Sequence, residues 1–123
     1  MDTNQINAIN QIINGMEGML NNESSVNNQV DYLYEKLDDN ENKVIDLDEF
    51  SFLYKAFYED INSRSGCPEN VQLLQVPTEE EVQNKFKQYD TNNAGSLNKD
   101  QFRLFYVQEI TRLCSHLKTL LNN

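Results

Sequence analysis

A chain of 123 residues, 38% of them apolar, has room for one domain or for two small lobes sharing a core. Its 20 acidic and 10 basic side chains leave a formal charge of −10, which argues against nucleic acid or an anionic membrane surface as the main partner. The mean hydropathy of −0.71 describes a very polar chain, and the abundant asparagine reads first as a composition bias. The chain opens Met1-Asp2-Thr3-Asn4, with no basic segment, long apolar run or glycine at position two. No signal peptide, membrane insertion or myristoylation is therefore expected, and the expected location is cytoplasmic. Cys67 and Cys114 stand far apart and are expected as reduced thiols. With His116 as the single histidine, no zinc cluster or nucleophile–histidine pair can be assembled, and nothing reads as a nucleotide loop. An enzyme is not expected.

Ile6, Ile9, Ile13, Met16 and Leu20 recur on one face of an expected N-terminal helix, with Ile12 and Met19 beside it. Gly15 and Gly18 each weaken such a helix by about 1 kcal/mol, so docking is what would order it. Three roles are open: a structural helix packed on the end of the chain, an internal ligand for a groove, or a surface for self-association or a partner. Ser24, Ser25 and the asparagines around them read as a break, which makes residues 1–25 the N-terminal unit. Val30, Leu33, Tyr34 and Leu37 then repeat at helical spacing.

A segment dense in oxygen ligands follows, from Asp38 to Glu49. Asp38, Asn40, Asn42, Asp46 and Glu49 occupy positions one, three, five, nine and twelve, and Val44 at position seven can offer its backbone carbonyl. A hard cation such as calcium takes six to eight oxygens, so alternating carboxylates and amides around one point suit it. This segment resembles the calcium loop of the EF-hand superfamily, in the manner of divergent calmodulin-like proteins with two hands. The resemblance implies a ligand set of Asp38, Asn40, Asn42, Val44, Asp46 (through a water) and Glu49, with Ca2+ as the ion and Mg2+ as a competitor. One departure stands out. Position six, where the family turns with positive φ on a glycine, is Lys43. A left-handed non-glycine residue costs roughly 1–2 kcal/mol, and the resemblance then implies a dissociation constant of about 10⁻⁶ to 10⁻⁴ M.

Phe50, Leu53, Ala56 and Phe57 mark the helix leaving this loop, with Tyr54 and Tyr58 close by. Residues 26–62 thus form the first expected helix–loop–helix unit. Residues 63–77, with Gly66-Cys67-Pro68 and Pro77, read as a connector, and the extra length between the units falls in Ile61 to Thr78, expected to be partly disordered or to hold a short helical turn. Thr78 and Glu81 form a capping box that opens a helix carrying Val82, Phe86 and Tyr89. From Asp90 to Gln101 the loop pattern returns in damaged form. Asp90, Asn92, Ser96 and Asn98 hold positions one, three, seven and nine and Gly95 holds position six, but Ala94 and Gln101 replace the ligands at five and twelve. Phe102, Phe105, Tyr106, Ile110, Leu113, Leu117 and Leu120 mark a long last helix, so residues 78–123 form the second unit with a C-terminal extension.

The fold class expected is all-α: an EF-hand pair with a short β-pairing between Val44-Ile45-Asp46 and Ser96-Leu97-Asn98, an extra N-terminal helix and a long C-terminal helix. The resemblance implies an intracellular calcium sensor or regulator with one competent loop and one scaffold loop. Drawing Glu49 onto the ion would swing the exiting helix and expose Phe50, Phe57, Phe86 and Phe102 to a protein or peptide helix. All three methionines, Met1, Met16 and Met19, lie outside the hands, so a methionine-rich groove with broad target choice is not implied. Two alternatives remain open: a light-chain-like interaction subunit that works without calcium, and a simple calcium buffer.

Overall fold

Among residues 2–37, 44–66 and 73–122, which the computed structural model describes, the chain is helical with one two-stranded antiparallel ribbon. The order is α1 (Thr3–Leu20), α2 (Glu23–Leu37), β1 (Ile45–Asp46), α3 (Leu47–Arg64), α4 (Glu79–Tyr89), β2 (Ser96–Leu97) and α5 (Lys99–Leu121). An all-α class fits this architecture, as the helical spacing predicts.

The helix starts follow local chemistry. Asp2, Asp46, Thr78 and Asn98 each cap a helix, and in each case the residue three positions on, Gln5, Glu49, Glu81 or Gln101, returns its side chain to the cap's backbone N–H. Each box satisfies donors that a helix end leaves orphaned. The break expected at Ser24 and Ser25 falls earlier. Asn22 accepts from the Ser25 N–H at 3.2 Å and starts α2, so both serines lie inside that helix and the link from α1 is Asn21-Asn22.

The exit stripe is also rotated from the expected one. Phe50, Leu53, Tyr54, Tyr58 and Ile61 are buried, whereas Ala56 and Phe57 are half-buried. The reason is tertiary: α4, α1 and α2 all pack on α3, and α5 meets it through the Phe105 ring and Glu109, so it buries a wider arc than one stripe. On α1 the burial falls on Ile9, Ile12 and Ile13, while Ile6 at the open end is 39% exposed.

The two units meet at the ribbon. β1 and β2 are antiparallel with Ile45 opposite Leu97 and Asp46 opposite Ser96, and Ile45 and Leu97 are both fully buried. Just beyond, an aromatic cluster forms the centre of the core. The Phe105 ring lies 4.6 Å from Phe50, 5.6 Å from Tyr54 and 5.6 Å from Tyr89 by centroid. Phe50 also meets Phe86 edge-on at 5.4 Å, so α3, α4 and α5 share one packed centre.

The connector is more ordered than expected at both ends. Ile61 to Arg64 belong to α3. Asn62 clamps the far side: its Nδ2 donates to the Leu74 carbonyl at 2.8 Å and its Oδ1 accepts from the Leu74 N–H at 2.7 Å. Residues 67–72, including Cys67, lie outside the described part. Gly66 has a φ of +78° and backs onto the first turns of α1, where a Cβ would sit 3.5 Å from Gln5 Cα.

The fully buried Phe105 and the 71%-exposed Phe52 set a direct comparison. Phe105→Ala is expected to cost about 3–5 kcal/mol in urea unfolding, and Phe52→Ala less than about 0.5 kcal/mol. Equal effects would mean that the packed centre lies elsewhere.

Candidate metal centre

Of the six expected ligands, Val44, Asp46 and Glu49 fall within the described residues, and Asp38, Asn40 and Asn42 lie outside them, as does Lys43. Asp46 and Glu49 are brought together by the start of α3. Asp46 Oδ1 accepts from the Glu49 N–H at 2.8 Å, and Glu49 Oε1 accepts from the Asp46 N–H at 3.0 Å. Glu49 is only 9% exposed, so one of the acidic side chains of the segment is held against the body of the protein. Val44 is half-buried and leads directly into the ribbon.

The second loop is described in full and has the same frame. Asn98 Oδ1 accepts from the Gln101 N–H at 2.9 Å and Gln101 Oε1 from the Asn98 N–H at 2.8 Å, which repeats the Asp46–Glu49 box position for position. The Asp90 carboxylate closes the loop on itself, accepting from the Ala94 N–H at 3.0 Å and the Gly95 N–H at 2.8 Å. Gly95 has a φ of +76° and Asn93 a φ of +52°, so this loop makes its tight turn on residues that tolerate it. Gln101 Nε2 donates to Thr91 Oγ1 at 3.2 Å, a staple between the first and last turns of the loop. An amide donor therefore sits where a cation would want a carboxylate. Among the described residues no group of three or more His, Cys, Asp and Glu side chains could hold a metal ion.

A polar cluster that sequence reading overlooked ties the exit helices together. Glu109 on α5 is 2% exposed; it accepts from the Tyr58 hydroxyl of α3 at 2.9 Å and from Arg112 Nη2 at 2.5 Å. Arg112 also donates to the Tyr58 hydroxyl, and Lys85 of α4 comes within 3.8 Å of Glu109. The signal was available, since Glu109 shares the buried phase of Phe102, Phe105, Tyr106 and Leu113. A charge on that phase needs partners, and Arg112 one turn on is the natural one.

Comparison of the chain with protein-family models, with curated proteins and with solved structures gives no match.

Burial, and then the charge of Glu109, holds the Tyr58 hydroxyl protonated far above its ordinary range, and burial pushes Tyr106 up to about 12. A raised tyrosine pKa means the folded state keeps a proton that the unfolded state loses. Its contribution is whole below the unfolded value of about 10 and is lost as pH rises through the folded value. The melting temperature is therefore expected to fall between about pH 10 and the Tyr106 value of about 12, while phenolate absorbance rises. Tyr106→Phe is expected to make that fall shallower. An unchanged slope would remove Tyr106 from the linkage.

Proposed function

We propose that this chain is a calcium-binding protein of the EF-hand type. The first loop, Asp38 to Glu49, takes the ion, and the second, Asp90 to Gln101, holds the first in shape. The observation that carries this reading is the symmetric setting of the loops. Position eight of one pairs with position eight of the other, Ile45 with Leu97, and the Asp46–Glu49 box is matched by Asn98–Gln101. The donor chemistry fits a hard cation: carboxylates from Asp38, Asp46 and Glu49, amides from Asn40 and Asn42, and the Val44 carbonyl. An ion bound there supplies charge and a coordination shell. The rest is the work of this chain's own residues. Glu49 is bonded to the loop at Asp46 and is part of α3. Helix α3 carries Phe50, Tyr54 and Tyr58 into α4 and α5, so the set of Glu49 and the packing of three helices are mechanically joined.

A sensor or regulator in the cytoplasm is favoured over a buffer, because α1 and the 23-residue α5 provide more helical surface than ion storage needs. The natural target is a protein or peptide helix. The alternative is a calcium-independent interaction subunit, and the self-closure of the second loop by Asp90 and Gln101 favours it.

A calorimetric calcium titration of the metal-free protein, with magnesium present, separates these readings. One site near micromolar affinity is expected, and Glu49→Gln is expected to abolish it. Lys43→Gly is expected to tighten binding by roughly five- to thirtyfold as left-handed strain of about 1–2 kcal/mol is removed. A flat titration to millimolar calcium would transfer the case to the interaction subunit.

A further inference from the structure

Helix α1 is firmly seated. It packs on α5 more extensively than any other two elements pack together, and Ile9, Ile12 and Ile13 lie in the main core. One part of this junction is nevertheless hollow. Between the C-terminal half of α1 and the helices beneath it lies a cleft of about 270 Å³, walled by Ile12, Met16 and Met19 of α1 and by Phe57, Tyr106 and Ile110 of α3 and α5. Interiors pack like organic crystals, so a hollow beside a firmly seated helix is a matter of shape and not of slack. Concave, mainly apolar hollows between helices, with a few polar groups, are where small ligands bind. An apolar cavity of about 150 Å³ takes benzene, so this one suits a molecule of about two fused rings.

The cleft also carries a donor that the protein itself satisfies poorly. Tyr106 is 4% exposed, and its hydroxyl donates to Met19 Sδ at 3.2 Å. A thioether is a weak acceptor, so a buried hydroxyl gains by meeting an oxygen instead. Met19 is half-buried, and its unbranched side chain can turn aside to let one in. Burial pushes the Tyr106 hydroxyl up to about 12, so it keeps its proton and stays a donor across the physiological range. The charges that border the cleft stand at its rim: Asp60 and Arg64 pair with each other at 2.8 Å and are 59% and 54% exposed. A dry inner wall and a chain of formal charge −10 both disfavour an anion there. Gly15 borders the cleft as well, and a Cβ added to it would meet nothing within 4 Å.

We propose that this cleft is a small-molecule site whose ligand is an uncharged, flat, largely apolar molecule with one carbonyl-type oxygen, which accepts from the Tyr106 hydroxyl in place of Met19 Sδ. The apolar body rests among Ile12, Met16, Phe57 and Ile110, and the open space at Gly15 admits it. Helix α1 stays in place and forms one wall. The inference rests on packing and not on the ion, so it stands or falls separately from the calcium reading, and its test is run in chelator.

The probes are acetylnaphthalene, labelled at its carbonyl carbon, and ethylnaphthalene, which has the same shape and no acceptor. Each is titrated into the full metal-free chain and followed by ligand-observed NMR, in which the carbonyl resonance moves downfield on accepting a hydrogen bond. One saturable site with a dissociation constant of about 10–100 μM is expected for the ketone, with the hydrocarbon about three- to tenfold weaker. Tyr106→Phe keeps the wall and removes only the hydroxyl. It is expected to erase both the preference and the downfield shift, and to leave hydrocarbon binding unchanged. Gly15→Leu fills the cleft and is expected to weaken both probes at least about tenfold. Gly18→Leu, outside the cleft, is expected to change neither. Both leucines raise helix propensity, so both variants are expected to fold. No saturable binding, no preference for the ketone, a preference that survives Tyr106→Phe, or equal behaviour of the two glycine variants would each overturn the proposal. Tighter binding of naphthoate, lost in Arg64→Gln, would make the ligand an anion held at the rim and overturn it too.

Discussion

The contact on which the rest depends is the two-residue ribbon between Ile45 and Leu97. Both side chains are fully buried, and each stands one residue before the cap of an exit helix, Asp46 or Asn98. Pairing the two strands therefore places the N-termini of α3 and α5 side by side. Phe50 and Phe102, each four residues beyond its cap, then reach the core at once. A short ribbon would be marginal alone. Here the aromatic cluster behind it holds the register, since a one-residue slip would turn Ile45 or Leu97 out of the core.

That geometry distributes polar cost unevenly. Most charges remain on the surface, in pairs such as Lys99–Asp31 and Lys55–Glu79. Among the described residues Glu49 and Glu109 are the buried acids, and the deeper burial of Glu109 is tolerable because Tyr58 and Arg112 satisfy it. The cluster joins α3, α4 and α5 through Tyr58, Lys85 and Glu109. Glu49 at the start of α3 and Tyr58 more than two turns further along belong to the same helix.

The two loops divide the labour by composition. The second loop satisfies itself: Asp90 turns onto its own backbone, Gln101 staples Thr91, and Gly95 takes the positive φ. A loop already closed by its own hydrogen bonds is a stable abutment for β2 and hence for β1. In the sequence of the first loop, Asp38, Asp46 and Glu49 stand at the positions proposed to meet the ion, and Lys43 stands where the second loop has Gly95. The proposed ion site and the proposed scaffold are two halves of one device, with α1 laid across the helices on the far side.

Much of this was legible in the sequence by itself. Helical spacing matches the last helix almost residue by residue, because Phe102, Phe105, Tyr106, Ile110, Leu113 and Leu117 are all buried against α1, α2 and α4. The capping box at Thr78 and Glu81 was also readable, since it arises from local chemistry at a fixed offset, and the Ile45–Leu97 pairing was expected because the loop pattern recurs with an apolar residue at the same position. The spacing of oxygen-bearing side chains from Asp38 to Glu49, on which the proposed ion site rests, belongs to the sequence entirely. What only the tertiary structure decided depends on contacts between distant segments. Tyr58 and Ile61 are buried while Ala56 and Phe57 are only half-buried, because α3 is packed from several sides, by α4, α1 and α2. Asn62 orders Leu74 across twelve residues of separation. Ile12 enters the core and Ile6 stays 39% exposed, with the first turns of α1 against Gly66 and its end beside Tyr106. Periodicity tells which residues share a helix face; only the packed neighbours determine how far that face is covered.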